Sequence, residues 1–380
     1  MQTVLHIITG LGLGGAEAEL YRMVLADKTR RHQVISLTDG GVFQADIEAA
    51  GIQVDTLNMP RSSLTLGRLR KLYRLIKGVD PDIVQTWMYH ADLVGGVVAR
   101  MASRARIFWG IHNSETDRKG TPWRTRLVIW LCARLSYVIP DAAISCSEAG
   151  RGVHIDLGYQ PKKLTVVHNG YDFSQFLPNE VARTQLREQW SVASDEMLFG
   201  MVGRWHPQKD HENLLNALRL LNQSGVVGWR CVLAGPEVDE NNAALVKIVR
   251  DYGLAEQVRL LGPRDDIPAV MNAIDLKILS SAFGEAFPNV LVEAMACGTP
   301  CITTDIGDAA VIVGGIGYVV PASNAQALSK VIQEAVKDKA DPELWAGKAN
   351  DGRKRVNDNY SLGAMIEAYA AVWQAAAVKS

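Results

Sequence analysis

Apolar and polar residues alternate along the first 170 positions in two interleaved rhythms. Short apolar runs predict strands at Val4–Ile8, Gln33–Leu37, Gln53–Leu57, Ile83–Thr86, Arg106–Trp109, Ala142–Ser145 and Leu164–Val167. Stretches with apolar residues three and four apart predict helices at Ala16–Lys28, Phe43–Ala50, Leu66–Val79, Asp92–Ala102, Thr125–Tyr137 and Ser147–Leu157. Strand then helix, repeated, is the rhythm of βα units wound around a largely parallel sheet.

The rhythm restarts at Leu198. Strands are expected at Leu198–Val202, Arg230–Ala234, Val258–Leu261, Leu276–Leu279 and Cys301–Thr304. Helices are expected at Glu212–Leu221, Ala243–Tyr252, Ile267–Asn272, Val290–Ala296 and Gln326–Lys337. Between the two series, His168-Asn169-Gly170-Tyr171-Asp172 is a turn signal, and residues 173–190 read as linker. Two α/β domains are therefore expected, at 1–172 and 191–355, alike in architecture but without sequence repeat. Tyr360–Val378, rich in Ala and carrying Trp373, predicts a last helix.

A length of 380 residues agrees with two hydrophobic cores. Hydrophobic content of 48% with 21% charged residues excludes a disordered chain. The net charge of -1 conceals an asymmetry. Residues 1–170 carry 21 Lys and Arg against 15 Asp and Glu, and the remainder 19 against 26. The two halves are expected to meet different partners. The five cysteines, Cys132, Cys146, Cys231, Cys297 and Cys301, are scattered and contain no C-x-x-C pair. They predict buried thiols in a reducing compartment rather than disulfides or a zinc site. The chain opens directly into an apolar strand, no signal peptide is read, and no uncharged apolar run reaches membrane-spanning length. A cytoplasmic protein is expected.

The segment Phe283–Asp305, FGEAFPNVLVEAMACGTPCITTD, carries the most chemistry. Glu285 lies in a glycine-flanked loop, and Glu293 follows eight residues later on the first turns of a helix opened at Pro288. Two acids so spaced can face one ligand from different depths. Gly203-Arg204-Trp205-His206-Pro207-Gln208-Lys209-Asp210, between a strand and a helix, sets two cations five residues apart. That spacing suits two neighbouring phosphates, Arg204 by its fork and Lys209 as a mobile point charge, with a surface ion pair as the other reading.

Gly10-Leu11-Gly12-Leu13-Gly14-Gly15-Ala16-Glu17 follows the first strand and opens a helix, where free amides can meet a phosphate. The spacing departs from G-x-G-x-x-G, and Asp39 is a poor match for the ribose acid, so nicotinamide binding is not expected. A purely structural turn stays open. His112, in Gly110-Ile111-His112-Asn113, sits at a strand's carboxyl end, either as a ligand group or as a core histidine. His168 and His206 have weaker claims, and His6, His90 and His154 read as structural.

The pattern E-x-F-P-N-x-x-x-E-A-M-A-x-G-x-P-x-x-x-T-D resembles the donor-binding motif of retaining glycosyltransferases of family 4. These have the GT-B fold, two Rossmann-like domains facing across a cleft. Glu285 and Glu293 match that family's E-x7-E pair, with Ala286, Phe287, Pro288 and Asn289 inside the motif. Arg204 and Lys209 match its G-R-x-x-x-x-K-G diphosphate clamp, although Asp210 replaces the usual glycine and is expected to point toward the next helix start. The loop with Gly14 and Gly15 resembles the family's G-G-A-E segment, and His112 its catalytic-loop histidine. Arg264, Asp266 and Ile267 fall where relatives hold the nucleobase, mostly by main-chain contacts. In relatives the C-terminal helix crosses back to the first domain, as 360–380 is expected to do here.

The resemblance implies a retaining transferase with a nucleotide sugar as co-substrate, UDP favoured, and neither cofactor nor metal. A hexose or N-acetylhexosamine would pass to an undecaprenyl-linked saccharide in surface polysaccharide, capsule or lipopolysaccharide synthesis. The helix Arg61–Lys77 holds Arg61, Arg68, Arg70, Lys71, Arg74 and Lys77 without an acid, beside an apolar stripe of Leu69, Leu72, Tyr73 and Ile76. Arg124, Arg126 and Arg134 interleave with Trp123, Leu127 and Trp130 farther on. Such segments suit an anionic membrane surface, peripherally, or a solvated face. Nucleic acid is not expected, since no recognition motif accompanies the patch. Two rival functions are an epimerase of the same fold and a noncatalytic membrane-surface protein.

Overall fold

The computed structural model describes residues 1–12, 14–59, 65–112, 122–285 and 287–375. The chain divides into unit 1, Met1–Tyr171 with Tyr360–Ser380, and unit 2, Asp172–Asn359.

Unit 1 runs β1 (Thr3–Ile8), α1 (Gly15–Ala26), β2 (Arg31–Ser36), α2 (Gln44–Ala49), β3 (Gln53–Thr56), α3 (Leu66–Val79) and β4 (Ile83–Trp87). It continues with α4 (Tyr89–Ala102), β5 (Arg106–Ile111), α5 (Trp123–Leu135), β6 (Ala142–Ser145), α6 (Glu148–Asp156) and β7 (Leu164–Val166). The seven strands form one parallel sheet in the order β3-β2-β1-β4-β5-β6-β7. Each predicted strand of this half is present within two residues at either end. Both faces of the sheet are covered, so its central strands are buried along nearly their whole length, polar His6 of β1 and Gln85 and Thr86 of β4 included. Leu72 and Ile76 of α3 and Val98 of α4 belong to the cluster on one face. Leu20, Met23 and Val24 of α1 belong to the other, with Met365, Tyr369 and Trp373.

Unit 2 runs α7 (Glu180–Gln189), β8 (Met197–Val202), α8 (His211–Gln223), β9 (Trp229–Ala234), α9 (Ala243–Asp251) and β10 (Val258–Leu260). Next come α10 (Ile267–Ala273), β11 (Leu276–Leu279), α11 (Asn289–Ala296), β12 (Cys301–Thr304), α12 (Ala309–Val313), β13 (Tyr318–Val320) and α13 (Ala325–Lys339). Six parallel strands take the order β10-β9-β8-β11-β12-β13. The long polar helix α14 (Pro342–Tyr360) precedes α15 (Leu362–Ala375).

Unit 1 takes its last helix from the far end of the chain. Met365, Tyr369 and Trp373 recur every four residues on α15, which makes one apolar stripe, and all three are buried beside α1. A fully buried side chain of this size contributes about 1.5–3 kcal/mol. Trp373 Nε1 also donates to Gln85 Oε1 on β4 at 3.1 Å.

Residues 173–190, expected as linker, instead contain α7. Its buried contacts are largely polar: Arg183 and Arg187 reach Asp275 at 2.6 and 3.0 Å, and Leu186 is its one buried apolar side chain. Apolar periodicity cannot reveal such a helix. The five cysteines are all buried and free, as expected.

Candidate active site

In a doubly wound sheet, ligands bind beyond the carboxyl ends of the strands, at the point where the strand order turns back. In unit 2 that point lies between β8 and β11. The segments leaving these strands carry Arg204, Lys209 and Glu285. A short 3-10 turn at Pro207–Lys209 folds the first segment back, and Lys209 Nζ stands 2.5 Å from Glu285 Oε1. Ser281 donates its hydroxyl to the same oxygen at 2.6 Å. Glu285 is only 8% exposed, so its charge depends on these partners. Gln208 ties the loops together. Its Nε2 donates to Gly284 O at 2.7 Å, its carbonyl accepts from Ala282 N at 2.9 Å, and its Oε1 lies 3.4 Å from the Arg204 guanidinium.

Asp210 has φ 50°, in the left-handed region where glycine is strain-free, which explains why glycine is usual at this position. Its carboxylate accepts from Asn213 N at 3.2 Å and caps α8, as the sequence predicts. Gly235, after β9, is required: a Cβ there would stand 2.3 Å from Gly203 O. Through this close approach, Gly203 N donates to Ala234 O and Gly235 N to Gly262 O, both at 2.8 Å. The exits of β8, β9 and β10 are thereby joined by main chain.

Pro288 caps α11, with Phe287 and Pro288 buried and Asn289 exposed. Ala286 lies outside the described residues. Glu293 is half-buried on α11, beyond the loop that carries Glu285. Lys277, wholly buried on β11, was not singled out by the sequence. Burial draws its ammonium down to about 8, against the fields of Glu293 and Glu285 among others. Arg264 and Asp266 form a two-point ion pair after β10, with Arg264 Nε donating to Asp266 Oδ1 at 2.7 Å. Ile267 opens α10 directly behind them. A separate hollow of about 510 Å³ in unit 2, among Trp190, Arg230, Arg250 and Arg259, is lined by none of these groups.

In unit 1, β1 sits at the corresponding turning point. Gly14 caps α1 with extended backbone, Gly15 begins the helix, and both are exposed. A Cβ at Gly15 would meet nothing within 4 Å, which leaves this helix start open. Leu13 lies outside the described residues. His112 follows β5, stacked on Trp87 with ring centroids 5.1 Å apart. Its Nδ1 is 3.6 Å from Glu19 Oε2, and burial pulls its pKa down to about 4, so the ring is neutral at pH 7. Asn113 lies outside the described residues.

The histidines read as structural behave so in two cases. His6 bonds His32 at 2.9 Å in the core, and His154 bonds the Tyr89 hydroxyl at 2.7 Å. His206 accepts from Gln208 N, and His168 Nδ1 lies 3.3 Å from Cys146 O. Sequence reading missed Ser281, Gln208, Lys277 and Glu19. Of these only Glu19 left a signal, an acid among the buried apolar positions of α1. Among the described residues no group of His, Cys, Asp and Glu could hold a metal ion, and no helix is long and apolar enough to cross a membrane.

On α3, Arg70, Lys71, Arg74 and Lys77 are exposed and Arg68 is half-buried; Arg61 lies outside the described residues. The apolar stripe differs from expectation at one position. Tyr73 is exposed, and Leu75 packs on the core instead, because the buried face centres on Leu72 and Ile76.

Two family models match the chain, glycosyl transferases group 1 over residues 182–352 and glycosyltransferase family 4 over residues 13–175. EpsF of Bacillus subtilis (strain 168) is 28% identical over 313 residues, covering 80% of this chain and 79% of its own. The UDP-Gal:alpha-D-GlcNAc-diphosphoundecaprenol alpha-1,3-galactosyltransferase of Escherichia coli is 26% identical over 246 residues, 63% of this chain and 61% of that one. The crystal structure of Anabaena HepE in complex with UDP superposes with a TM-score of 0.84 at 22% identity, covering 99% of this chain and 100% of that one. With a model matched to each unit and both sheets wound in the same order, the chain belongs to the family 4 glycosyltransferases of GT-B fold.

Proposed function

We propose that this glycosyltransferase is a retaining enzyme that moves a hexose or N-acetylhexosamine from a UDP-sugar to a lipid-linked saccharide in surface polysaccharide synthesis. The observation that carries the reading is the Lys209–Glu285 pair at the turning point of the unit 2 sheet, with Arg204 held beside it through Gln208. Breaking the anomeric bond builds positive charge on the sugar and negative charge on the leaving diphosphate. Arg204 and Lys209 stabilise the diphosphate. Glu285 accepts from donor-sugar hydroxyls and offsets the cationic transition state. Glu293 holds the ribose diol, for which a carboxylate is a two-point acceptor. The main chain of the loop from Arg264 to Ile267 is assigned to the base, and Ala286, Phe287, Pro288 and Asn289 of the donor motif to the nucleotide sugar.

For unit 1, the family resemblance supports assigning His112 to the transferred sugar and the amides at Gly14 and Gly15 to phosphate. The departing phosphate oxygen takes the acceptor's proton on the same face, so no separate base is needed. Two cations fill the place a metal would take at the diphosphate, so the reaction is assigned as metal-independent. The name of the Escherichia coli relative supports both UDP and an undecaprenyl-linked acceptor. The acceptor reading also favours a peripheral position on the inner membrane face, with α3 and α5 as the contacts.

A thermal-melting screen of UDP, GDP and ADP, then their sugars, tests this, because a ligand that binds only the folded state raises its stability. The largest shift is expected with UDP. A shift with GDP alone would overturn the UDP assignment, and no shift with any of them would overturn the nucleotide-sugar reading.

A further inference from the structure

Glu19 is an acid where the pattern of α1 asks for an apolar residue. It shares the helix's buried face with Ala16, Leu20, Met23 and Val24, and it is itself wholly buried. A buried carboxylate persists only where partners compensate its lost hydration.

Groups from three elements face it. His112, at the end of β5, presents Nδ1 3.6 Å from Glu19 Oε2. Tyr369 of α15 donates its hydroxyl to Glu19 Oε1 at 3.1 Å. Arg22, on α1 itself, adds a positive field while its Nε donates to Gly170 O at 3.0 Å. Burial and then Glu19 raise the pKa of the Tyr369 hydroxyl, and Cys146 adds to them. Trp87 lies alongside, stacked on His112 and, at 6.0 Å, on Tyr369. Glu17 turns the other way, its carboxyl lying over Gly14.

Two atoms remain. Glu19 Oε2 and His112 Nε2 are both buried, and neither has a hydrogen-bond partner among the described residues. The 3.6 Å between Nδ1 and Oε2 exceeds a hydrogen bond, but such contacts in ligand-free enzymes commonly tighten when substrate binds. One proton shared between them sets the whole ring. With the proton on Nδ1, Nε2 is an acceptor; with it on Glu19, Nδ1 accepts and Nε2 becomes the donor.

We propose that Glu19 is a positioning residue for His112. Its carboxylate, fixed by Tyr369 of the returning helix, holds the imidazole proton on Nδ1 and presents Nε2 as an acceptor to a sugar hydroxyl. The inference rests on the assignment of His112 to the transferred sugar. Protonating Glu19 inverts the ring: Oε2 donates to Nδ1, the Nδ1 proton is released, and Nε2 takes one up. The imidazole stays neutral throughout. Burial raises Glu19 to about 7 and lowers His112 to about 4, so the carboxyl is the group that titrates near neutrality. The productive form is then lost as pH falls through about 7.

Nitrogen-15 NMR of the labelled chain reads the tautomer directly, and a kcat profile reads its consequence. His112 should change from the Nδ1–H to the Nε2–H form with a midpoint near 7, and turnover should fall about tenfold per pH unit below it. Glu19→Gln cannot titrate, so both transitions should vanish. Tyr369→Phe keeps the ring but removes a bond that favours the carboxylate, so both midpoints should move up; this variant serves if Glu19→Gln fails to fold. A tautomer constant with pH in the unaltered chain would overturn the inference, as would an acid limb that persists in Glu19→Gln. His112→Ala separates the two assignments. Unchanged turnover there rejects the sugar role of His112, whereas lowered turnover beside a flat tautomer titration rejects Glu19 alone.

Discussion

Lys209 and Glu285 lie 76 positions apart in sequence and meet at 2.5 Å between Nζ and Oε1. The meeting follows from the topology. The two residues leave adjacent strands, β8 and β11, at their carboxyl ends, and Gln208 locks the two exits to each other. Lys209→Met should lower kcat by about 10²–10³, the usual cost of losing one donor aimed at developing charge, with a smaller change in KM. A melting curve controls for folding, since Ser281 still partners the carboxylate. An unaltered kcat at saturating acceptor would reject the leaving-group role.

Glu293→Ala should weaken binding of the nucleotide sugar by about 1.5–3 kcal/mol, the worth of a charge-assisted bond. Calorimetric titration of the folded variant measures it. Because the ribose takes no part in the bond that breaks, kcat at saturating donor should move less than the dissociation constant. Equal donor affinity in the two proteins would remove Glu293 from the ribose.

Most strands were legible because both faces of each sheet are covered, which makes central strands such as β1 and β8 mostly apolar, with Thr3 and His6 the polar positions of β1. The Arg204, Lys209, Glu285 and Glu293 set could be proposed from local spacing, since the two cations share the β8 exit and the two acids share the segment from the β11 exit into α11. Legibility failed at the short apolar elements α12 and β13, five and three residues long, and where packing is polar. In α7, Arg183 and Arg187 bury their contacts with Asp275 in place of an apolar stripe, and α14 is polar along most of its length. Gln208 and Ser281 were out of reach for another reason. Each owes its role to a partner that only the folded loop brings near, and no spacing rule encodes that.

Asp275→Asn should destabilise unit 2 by about 3 kcal/mol, the cost of taking one member from a buried charge cluster. Asp275 is buried among Arg183, Arg187 and Lys339, and it also accepts Leu198 N at 2.7 Å. Burial alone would raise its carboxyl; Lys339 and Arg183 outweigh that and hold it below the ordinary aspartate value. A lowered folded pKa means the stabilisation is present above the unfolded value of about 4 and fades as pH falls below it. Urea unfolding at neutral pH should therefore separate the two proteins, and the gap should close in acid. A gap independent of pH would show that shape rather than charge is lost.

Chelation should leave transfer intact. On the proposed reading, Arg204 and Lys209 bring two positive charges to the diphosphate, where a metal would otherwise neutralise it. Assays with and without EDTA decide it. Loss of activity in EDTA, restored by magnesium or manganese, would overturn the metal-independent assignment.

Neutralising Arg68, Arg70, Lys71 and Arg74 together should weaken binding to anionic vesicles while sparing turnover on a short soluble acceptor. Each cation near such a surface contributes about 1 kcal/mol. Lys71 already donates to Thr56 O at 2.8 Å, so the other three should dominate. On α5, Trp123, Leu127 and Trp130 recur on one helical face and are 68%, 48% and 53% exposed. Arg124 and Arg134 lie over the two indole rings, at 5.5 and 5.8 Å. An amphipathic aromatic with a cation beside it suits the headgroup region better than bulk water. Replacing both tryptophans with Ser should therefore weaken binding to neutral as well as anionic vesicles, whereas the α3 variant should lose only the anionic preference. If both variants bind anionic vesicles as the unaltered chain does, these helices are solvated surface and the peripheral assignment falls.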